Sequence, residues 1–311
     1  MPSDALLNDL RRVVTNELPE TLPSVIAFIV GANPSKGARS PKLWNAAFAT
    51  LGVDGEMFPL DVPQENLSVL LQMLEGDARV VGAAVAAPYK ADFAQLLGDR
   101  LAAAAKHCGS INLMSRPGNQ NTQREPVSAS SAHFIGSNTD GIAAVESLRE
   151  RCPDFAASKV LVLGCGGTGR AVIASLLNEM SPSHVFVAVR SERHVKWLNG
   201  LGVQPVTANV DAVDLSQFGV VVNCTTVGWG DQAEASPLTA VQIARLSADC
   251  TVFDVVYQPD PSVLLQRAKA RGLSALSGTR MNLLQAVIAF TTANPRADEH
   301  IVASAMKQAA G

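Results

Sequence analysis

The stretch KVLVLGCGGTGRAVIASLLNEM, residues 159–180, decides the architecture. The apolar run Val160–Leu163 leads straight into Gly164, Gly166 and Gly169, and an apolar-periodic helix pattern follows. Backbone approach explains this spacing. The first glycine permits a tight turn, the second lets a pyrophosphate come close, and the third lets helix and strand pack. Backbone N–H groups at the helix start, around Gly166, Gly167 and Thr168, then face the phosphates. A glycine turn alone is common, but strand before and helix after is the context that a dinucleotide-binding unit requires.

The next strand, HVFVAVRS, ends on Arg190 and Ser191. An acid at that place binds the ribose hydroxyls of NAD, whereas an arginine accommodates the 2′-phosphate of NADP. Arg190 and Ser191 form a plausible phosphate clamp, charge from one and a hydroxyl from the other. The plain alternative is a solvated charged turn. Glu192 falls one position late for the ribose acid, so NADP is favoured and NAD stays possible.

Strand and helix patterns alternate on both sides of this unit, which favours α/β architecture with parallel sheets. Upstream, SVIAFIVGA (24–32), GEMFPLDV (55–62) and VVGAAVAAP (80–88) read as strands. SPKLWNAAFATLG (40–52) reads as a helix, with Ser40 as N-cap and Pro41 at its first position. QENLSVLLQMLEG (64–76) is a second helix. Residues 115–132 are polar and turn-rich, the composition of a surface excursion. Downstream, GVVVNCTTVG and TVFDVVYQP are two further buried strands. GTRMNLLQAVIAFTTA is a long amphipathic helix suited to pack back on the first domain.

The 311 residues, 47% hydrophobic and 17% charged, suffice for two ordinary domains with sizeable cores. A formal net charge of −3 argues against nucleic acid or an anionic membrane as the main partner. The five cysteines are scattered without a CxxC pair, which favours a reducing compartment over a disulfide framework or a zinc site. His107, His133, His184, His194 and His300 lack ligand spacing, so no metal is expected. The opening residues do not read as a signal peptide, and no apolar run approaches the roughly 20 residues of a membrane span. The expectation is a soluble cytoplasmic protein, monomer or homodimer, whose partner is a small molecule.

Two polar residues at element ends carry the chemistry. Lys90 follows VAAPY, and Asp140 lies in IGSNTDG, where the chain would cross into the nucleotide domain. A cleft between two α/β domains is where a substrate would meet a nicotinamide. Hydride transfer to a ketone leaves an oxygen that must gain a proton; an ammonium supplies it, and a neighbouring carboxylate orients the ammonium or shares the substrate hydroxyl. Taken singly, each has a plainer reading, a solvated strand-end lysine and an Asp-Gly turn.

Together with their surroundings these residues resemble the shikimate dehydrogenase family along most of the chain. SPKLWNAAF resembles the family's SPxxHNxxF, VAAPYK its VTxPxK, GSINLM its GAxNT, and GSNTDG its NTDG. GCGGTGRA is similar to GAGGAARA, NCTTVG to NATxxG, DVVYQP to DxxYxP, and GTRMNLLQ to the closing GxxMLxxQ. The resemblance implies that Lys90 and Asp140 are the catalytic pair. It implies that Ser40, Asn112, Tyr257 and Gln285 contact substrate or the nicotinamide end, and that the turns holding Asn223, Thr225 and Val255 lie near the cofactor. It implies a substrate domain over residues 1–137, completed by a C-terminal helical segment, 279–311, and a Rossmann-type NADP-binding domain over 138–278.

The pattern breaks at four places. The first serine of the family's HSxSP falls on Ala38; the Thr of VTxPxK and the Asn two positions before it become Ala86 and Ala84. The Thr of GAxNT becomes Leu113. Each unreplaced hydrogen bond to a charged substrate group is worth about 1.5–3 kcal/mol. Arg39, Ser35, Lys36 or Arg280 could stand in, since a guanidinium grips a carboxylate in bidentate fashion. Trp229 takes a place often held by Met. Cys165 and Cys224 read as small space-filling residues. The expected activity is therefore NADP-dependent hydride transfer at a ring hydroxyl or ketone of a shikimate-like or altered small substrate. Two alternatives remain at this point: a non-catalytic metabolite sensor built on a dehydrogenase fold, and a related methylenetetrahydrofolate dehydrogenase, which the placement of NTDG and Gln285 disfavours.

Overall fold

A computed structural model describes residues 4–117, 133–207 and 210–310. Two compact units emerge: Met1–Thr139 with Leu283–Gly311, and Asp140–Asn282. Most of the expected surface excursion, residues 118–132, lies outside the described residues.

The first unit opens with α1 (Ala5–Leu10), then alternates β1 (Val25–Gly31), α2 (Ser40–Thr50), β2 (Gly55–Asp61), α3 (Leu67–Gly76) and β3 (Val80–Val85). Next come α4 (Lys90–Leu97), α5 (Ala103–Cys108), β4 (Leu113–Ser115) and β5 (Ile135–Ser137). The strands form one sheet in the order β2-β1-β3-β4-β5. Strand β1 is buried on both faces, as its unbroken apolar run requires. Phe28 and Val30 enter one cluster with Leu70 and Phe93; Ala27 and Ile29 enter another with Trp44 and Phe48.

This sheet corrects the all-parallel expectation, because β4 and β5 pair antiparallel. A parallel neighbour needs a crossover that returns the chain to the sheet's starting edge. Here α4 and α5 leave it at the far end of β3, where Ile111 N donates to Lys90 O and Val85 N to Asn112 O. Strand β4 therefore runs back. Ser115, assigned to the excursion, is a strand residue, and Arg116 donates to the carbonyls of Val80, Glu75 and Asp77. Ser40 is also corrected: it is the first helical residue of α2 rather than its cap, since Arg39 holds the N-cap place.

The second unit begins at α6 (Asp140–Arg151) and continues through β6 (Lys159–Leu163), α7 (Gly167–Leu176), β7 (Val185–Val189), α8 (Glu192–Gly200) and β8 (Gln204–Thr207). Then follow β9 (Phe218–Asn223), α9 (Ala240–Ala244), β10 (Thr251–Asp254), α10 (Val263–Ala270) and β11 (Ser274–Ser277). All its strand pairs are parallel, in the order β8-β7-β6-β9-β10-β11. That is the doubly wound dinucleotide-binding order, whose direction reverses between β6 and β9. The edge strands β8 and β11 escaped the sequence reading because neither carries a buried apolar run; β11 is half-buried throughout.

Helix α11 (Thr279–Ala293) carries the chain back into the first unit, and α12 (Glu299–Ala310) follows. Ala286, Ala289, Phe290 and Ala293 recur with helical spacing and enter the Trp44 cluster. The Phe290 ring lies 5.0 Å from Trp44 and 4.9 Å from Phe48. Val302 and Met306 of α12 join the same cluster, so this helical segment completes the first unit's core.

One close approach fixes the start of the second unit. A Cβ on Gly141 would lie 2.2 Å from Ala171 O and 2.3 Å from Ser175 Oγ, so α6 and α7 touch backbone to backbone. Gly141→Ala is expected to cost about 1–3 kcal/mol or more by overpacking. Gly76→Ala, whose Cβ would meet nothing within 4 Å, should stabilise by about 0.5–1 kcal/mol. Thermal unfolding of the two variants checks this; an unchanged Tm for Gly141→Ala would contradict the packing described.

Candidate active site

The glycine turn separates what the fold needs from what a ligand needs. Gly164 has φ 95°, and a Cβ there would press 2.8 Å against Thr225 Cγ2. A Cβ on Gly169 would sit 2.4 Å from Gly164 O. Both glycines are demanded by the chain itself. Gly166 is different: its backbone is extended, and nothing lies within 4 Å of where a Cβ would stand. Its lack of a side chain leaves open space above the start of α7, beside the helix's first backbone N–H groups.

At the far side of the switch point, Asn223 ends β9. Its Oδ1 accepts from Thr225 N at 3.0 Å and Thr225 Oγ1 at 2.7 Å, and its Nδ2 donates to Asp254 Oδ1 at 2.9 Å. Asp254, fully buried, also accepts from Ser262 Oγ at 2.5 Å and Val256 N at 3.0 Å. Burial pushes its carboxyl above the usual range despite these donors. Val255 N donates to Asn223 O, and a Cβ on Gly278 would lie 2.2 Å from Val255 O. Asn223, Thr225 and Val255 thus form one rigid corner, with Tyr257 half-buried just beyond it. The sequence reading missed Asp254, although an acid closing an apolar strand in DVVYQP was the available signal.

Arg190 is exposed immediately after β7, and Ser191 holds the N-cap place of α8. Arg170 was also missed. Its guanidinium lies 5.6 Å over the Trp197 ring and 3.4 Å from His194 Nδ1, which puts a second cation beside α8. Burial raises the Cys165 and Cys224 thiols, so both stay protonated and fill space. Asp140, 5% exposed, is the first residue of α6, and Thr168 Oγ1 donates to its Oδ2 at 3.0 Å.

In the first unit, Lys90 is the first residue of α4 rather than the end of a strand, four residues past Ala86. The loops after β1 and β3 meet there: Ala86 N donates to Val30 O, and a Cβ on Gly31 would touch Ala86 Cβ at 3.0 Å. This is the carboxyl end of the parallel strands, where open α/β sheets bind ligands. Asn112 lies alongside, 4% exposed. Its Nδ2 donates to Thr139 Oγ1 at 2.8 Å and to Gln285 Oε1 at 3.3 Å. Thr139 N donates to Asn112 Oδ1 at 2.8 Å, and Thr139 Oγ1 to Gln285 O at 3.1 Å. Three motifs far apart in sequence meet in one polar knot, with Asn112 and Thr139 buried and Gln285 half-buried.

Three of the four stand-ins suggested for a carboxylate grip have protein partners. Arg280 forks onto Glu150 of α6, with Nε 2.9 Å from Oε2 and Nη2 2.6 Å from Oε1. A carboxylate of the protein therefore takes the bidentate place proposed for substrate. Arg39 Nη2 donates to Ala310 O at the end of α12, and Ser35 Oγ donates to Asp61 Oδ2. Lys36 is exposed. The four altered positions converge: Ala84 and Leu113, opposed across β3 and β4, belong to the Trp44 cluster, and Ala38 and Ala86 pack against it. Trp229 is about half exposed. Among the described residues no cluster of His, Cys, Asp and Glu could hold a metal, and no helix is long and apolar enough to cross a membrane.

Comparison with known proteins agrees with this geometry. Residues 30–114 match the family model of the shikimate dehydrogenase substrate binding domain. The NADP(+) shikimate dehydrogenase of Thermosynechococcus vestitus is 30% identical over 286 residues, 90% of this chain and 94% of that protein. Shikimate 5-dehydrogenase from Thermus thermophilus, solved with NADP(H) and shikimate, superposes with a TM-score of 0.74 at 25% identity, covering 92% of this chain and 99% of that one. The ligand-free 5-ketofructose reductase of a Gluconobacter strain has the same fold, with a TM-score of 0.70 at 22% identity over 92% of this chain and 98% of that one. Motif order, sheet topology and near full-length similarity lead to one statement: the chain belongs to the shikimate dehydrogenase family of NAD(P)-dependent oxidoreductases.

Proposed function

We propose that this enzyme transfers hydride reversibly between NADP and a ring hydroxyl or ketone of a compact substrate that is less hydroxylated than shikimate on one face. The observation that carries the reading is the convergence of Ala38, Ala84, Ala86 and Leu113 on a single apolar cluster, beside Lys90 and Asn112. Four scattered losses would each weaken one contact. Four losses on one wall change what that wall recognises.

NADP, when bound, supplies the hydride and accepts it in the reverse direction. The rest is assigned to the chain's own residues. Gly164, Gly166, Gly167, Thr168 and Gly169 form the turn that receives the pyrophosphate, and Arg190 with Ser191 holds the 2′-phosphate. The corner of Asn223, Thr225 and Val255 bounds the nicotinamide end. Lys90 Nζ gives a proton to the substrate oxygen during reduction and recovers it during oxidation, and Asp140 is the second member of the acid/base pair. Ser40, Asn112, Tyr257 and Gln285 supply the remaining polar contacts. The engagement of Arg280, Arg39 and Ser35 with protein groups leaves a shikimate-type carboxylate with fewer anchors, which supports an altered substrate.

Lys90→Ala should lower turnover by about 10²–10⁴-fold while NADPH affinity stays nearly intact; stopped-flow turnover with fluorescence titration of NADPH measures both. Normal turnover in that variant would remove the proton-transfer role. For the nucleotide, Arg190→Ala should weaken NADP far more than NAD, and equal losses would mean that Arg190 does not read the 2′-phosphate. Gly166→Ala should bind either nucleotide worse with an unchanged Tm.

A further inference from the structure

The close contact of α6 and α7 does more than pack two helices. Gly141 lies against Ala171 and Ser175, and this brings the two helix starts side by side. Asp140 precedes Gly141 directly, and Thr168 lies one helical turn before Ala171. Their side chains meet, with Thr168 Oγ1 donating to Asp140 Oδ2 at 3.0 Å. Thr168 is also two residues beyond Gly166, the glycine whose open space the fold itself does not require.

We propose that Thr168 is a positioning residue that holds the Asp140 carboxylate in its working orientation and ties it to the nucleotide turn. The inference rests on the reading that Asp140 takes part in the reaction. A carboxylate on a two-bond stem has several rotamers. A hydroxyl fixed at the start of a helix, donating to one oxygen, selects one plane. Because the same hydroxyl sits on the turn that receives the phosphates, seating of the nucleotide and orientation of Asp140 share one rigid support. Precise placement of a reacting group contributes strongly to rate, so its loss appears in turnover rather than in nucleotide binding.

The test compares Thr168→Val, which keeps the shape and removes the hydroxyl, with Thr168→Ser, which restores it. Both are measured with the full-length enzyme and NADPH in the wild-type and Asp140→Asn backgrounds. Thr168→Val should lower kcat by about tenfold with the Kd for NADPH held within about twofold, and Thr168→Ser should recover most of the loss. In the Asp140→Asn background, the Thr168→Val change should have almost no further effect on kcat. Three outcomes would overturn the proposal: a higher Kd for NADPH with kcat preserved, which assigns the hydroxyl to phosphate; failure of serine to rescue; or a full additive loss in the Asp140→Asn background. Normal turnover of Asp140→Asn alone would instead overturn the underlying role of Asp140, so the two failures are distinguishable. Thermal unfolding of Thr168→Val and Thr168→Ser guards against a folding defect, which would lower Tm in both.

Discussion

The largely buried knot of Asn112, Thr139 and Gln285 is the constraint on which the first unit depends. The chain leaves that unit at Thr139 and re-enters at Leu283, and the knot joins both crossing points to the start of β4. Buried amides and hydroxyls are expensive when unpaired. Here Asn112 pairs its oxygen and amide with Thr139, at the exit from the unit, and its amide also with Gln285 of the returning α11. The knot therefore rewards one path of the chain. Beside it stands the end of β3, where Val85 N donates to Asn112 O.

The second unit places its groups by backbone contact. Gly141 against Ala171, Gly169 against Gly164 and Gly278 against Val255 are all approaches that a Cβ would block. Each fixes an element start or a strand-end corner. Polar groups then lock these corners, with Asp254 holding Asn223 and Thr168 holding Asp140. Such a scaffold keeps its reaction geometry when substrate-facing side chains change, because none of these contacts involves them. The first unit's wall of Ala38, Ala84, Ala86 and Leu113 belongs to the Trp44 cluster. On the proposed reading, a change of substrate preference there would leave the residues assigned to proton transfer and nucleotide binding in place.

Much of this was legible from residue patterns because the second unit's central strands are unbroken apolar runs ended by glycine or a polar residue. The glycine turn announced both a fold and a ligand, and the motif order announced a family. Three things escaped for physical reasons. Edge strands β8 and β11 lack the two-sided burial that makes an apolar run, and the antiparallel β4 and β5 are too short to show a period. Arg280 and Arg39 looked available for a substrate because their partners, Glu150 and Ala310 O, are more than a hundred residues away in sequence. Asp254 was signalled by the acid that closes the strand in DVVYQP, whereas the contact of Thr168 with Asp140 leaves no spacing signature.

The central claim is that the reaction groups are kept while one wall of the substrate site has turned apolar. The most direct measurement is kcat/KM for shikimate with NADP⁺, in the wild-type enzyme and in the variant Ala84→Asn/Ala86→Thr/Leu113→Thr. The account predicts a wild-type value below the usual enzymatic floor of about 10⁴ M⁻¹ s⁻¹ and a rise of about tenfold or more in the variant. A wild-type value well inside the usual range, falling when the polar groups are introduced, would contradict it.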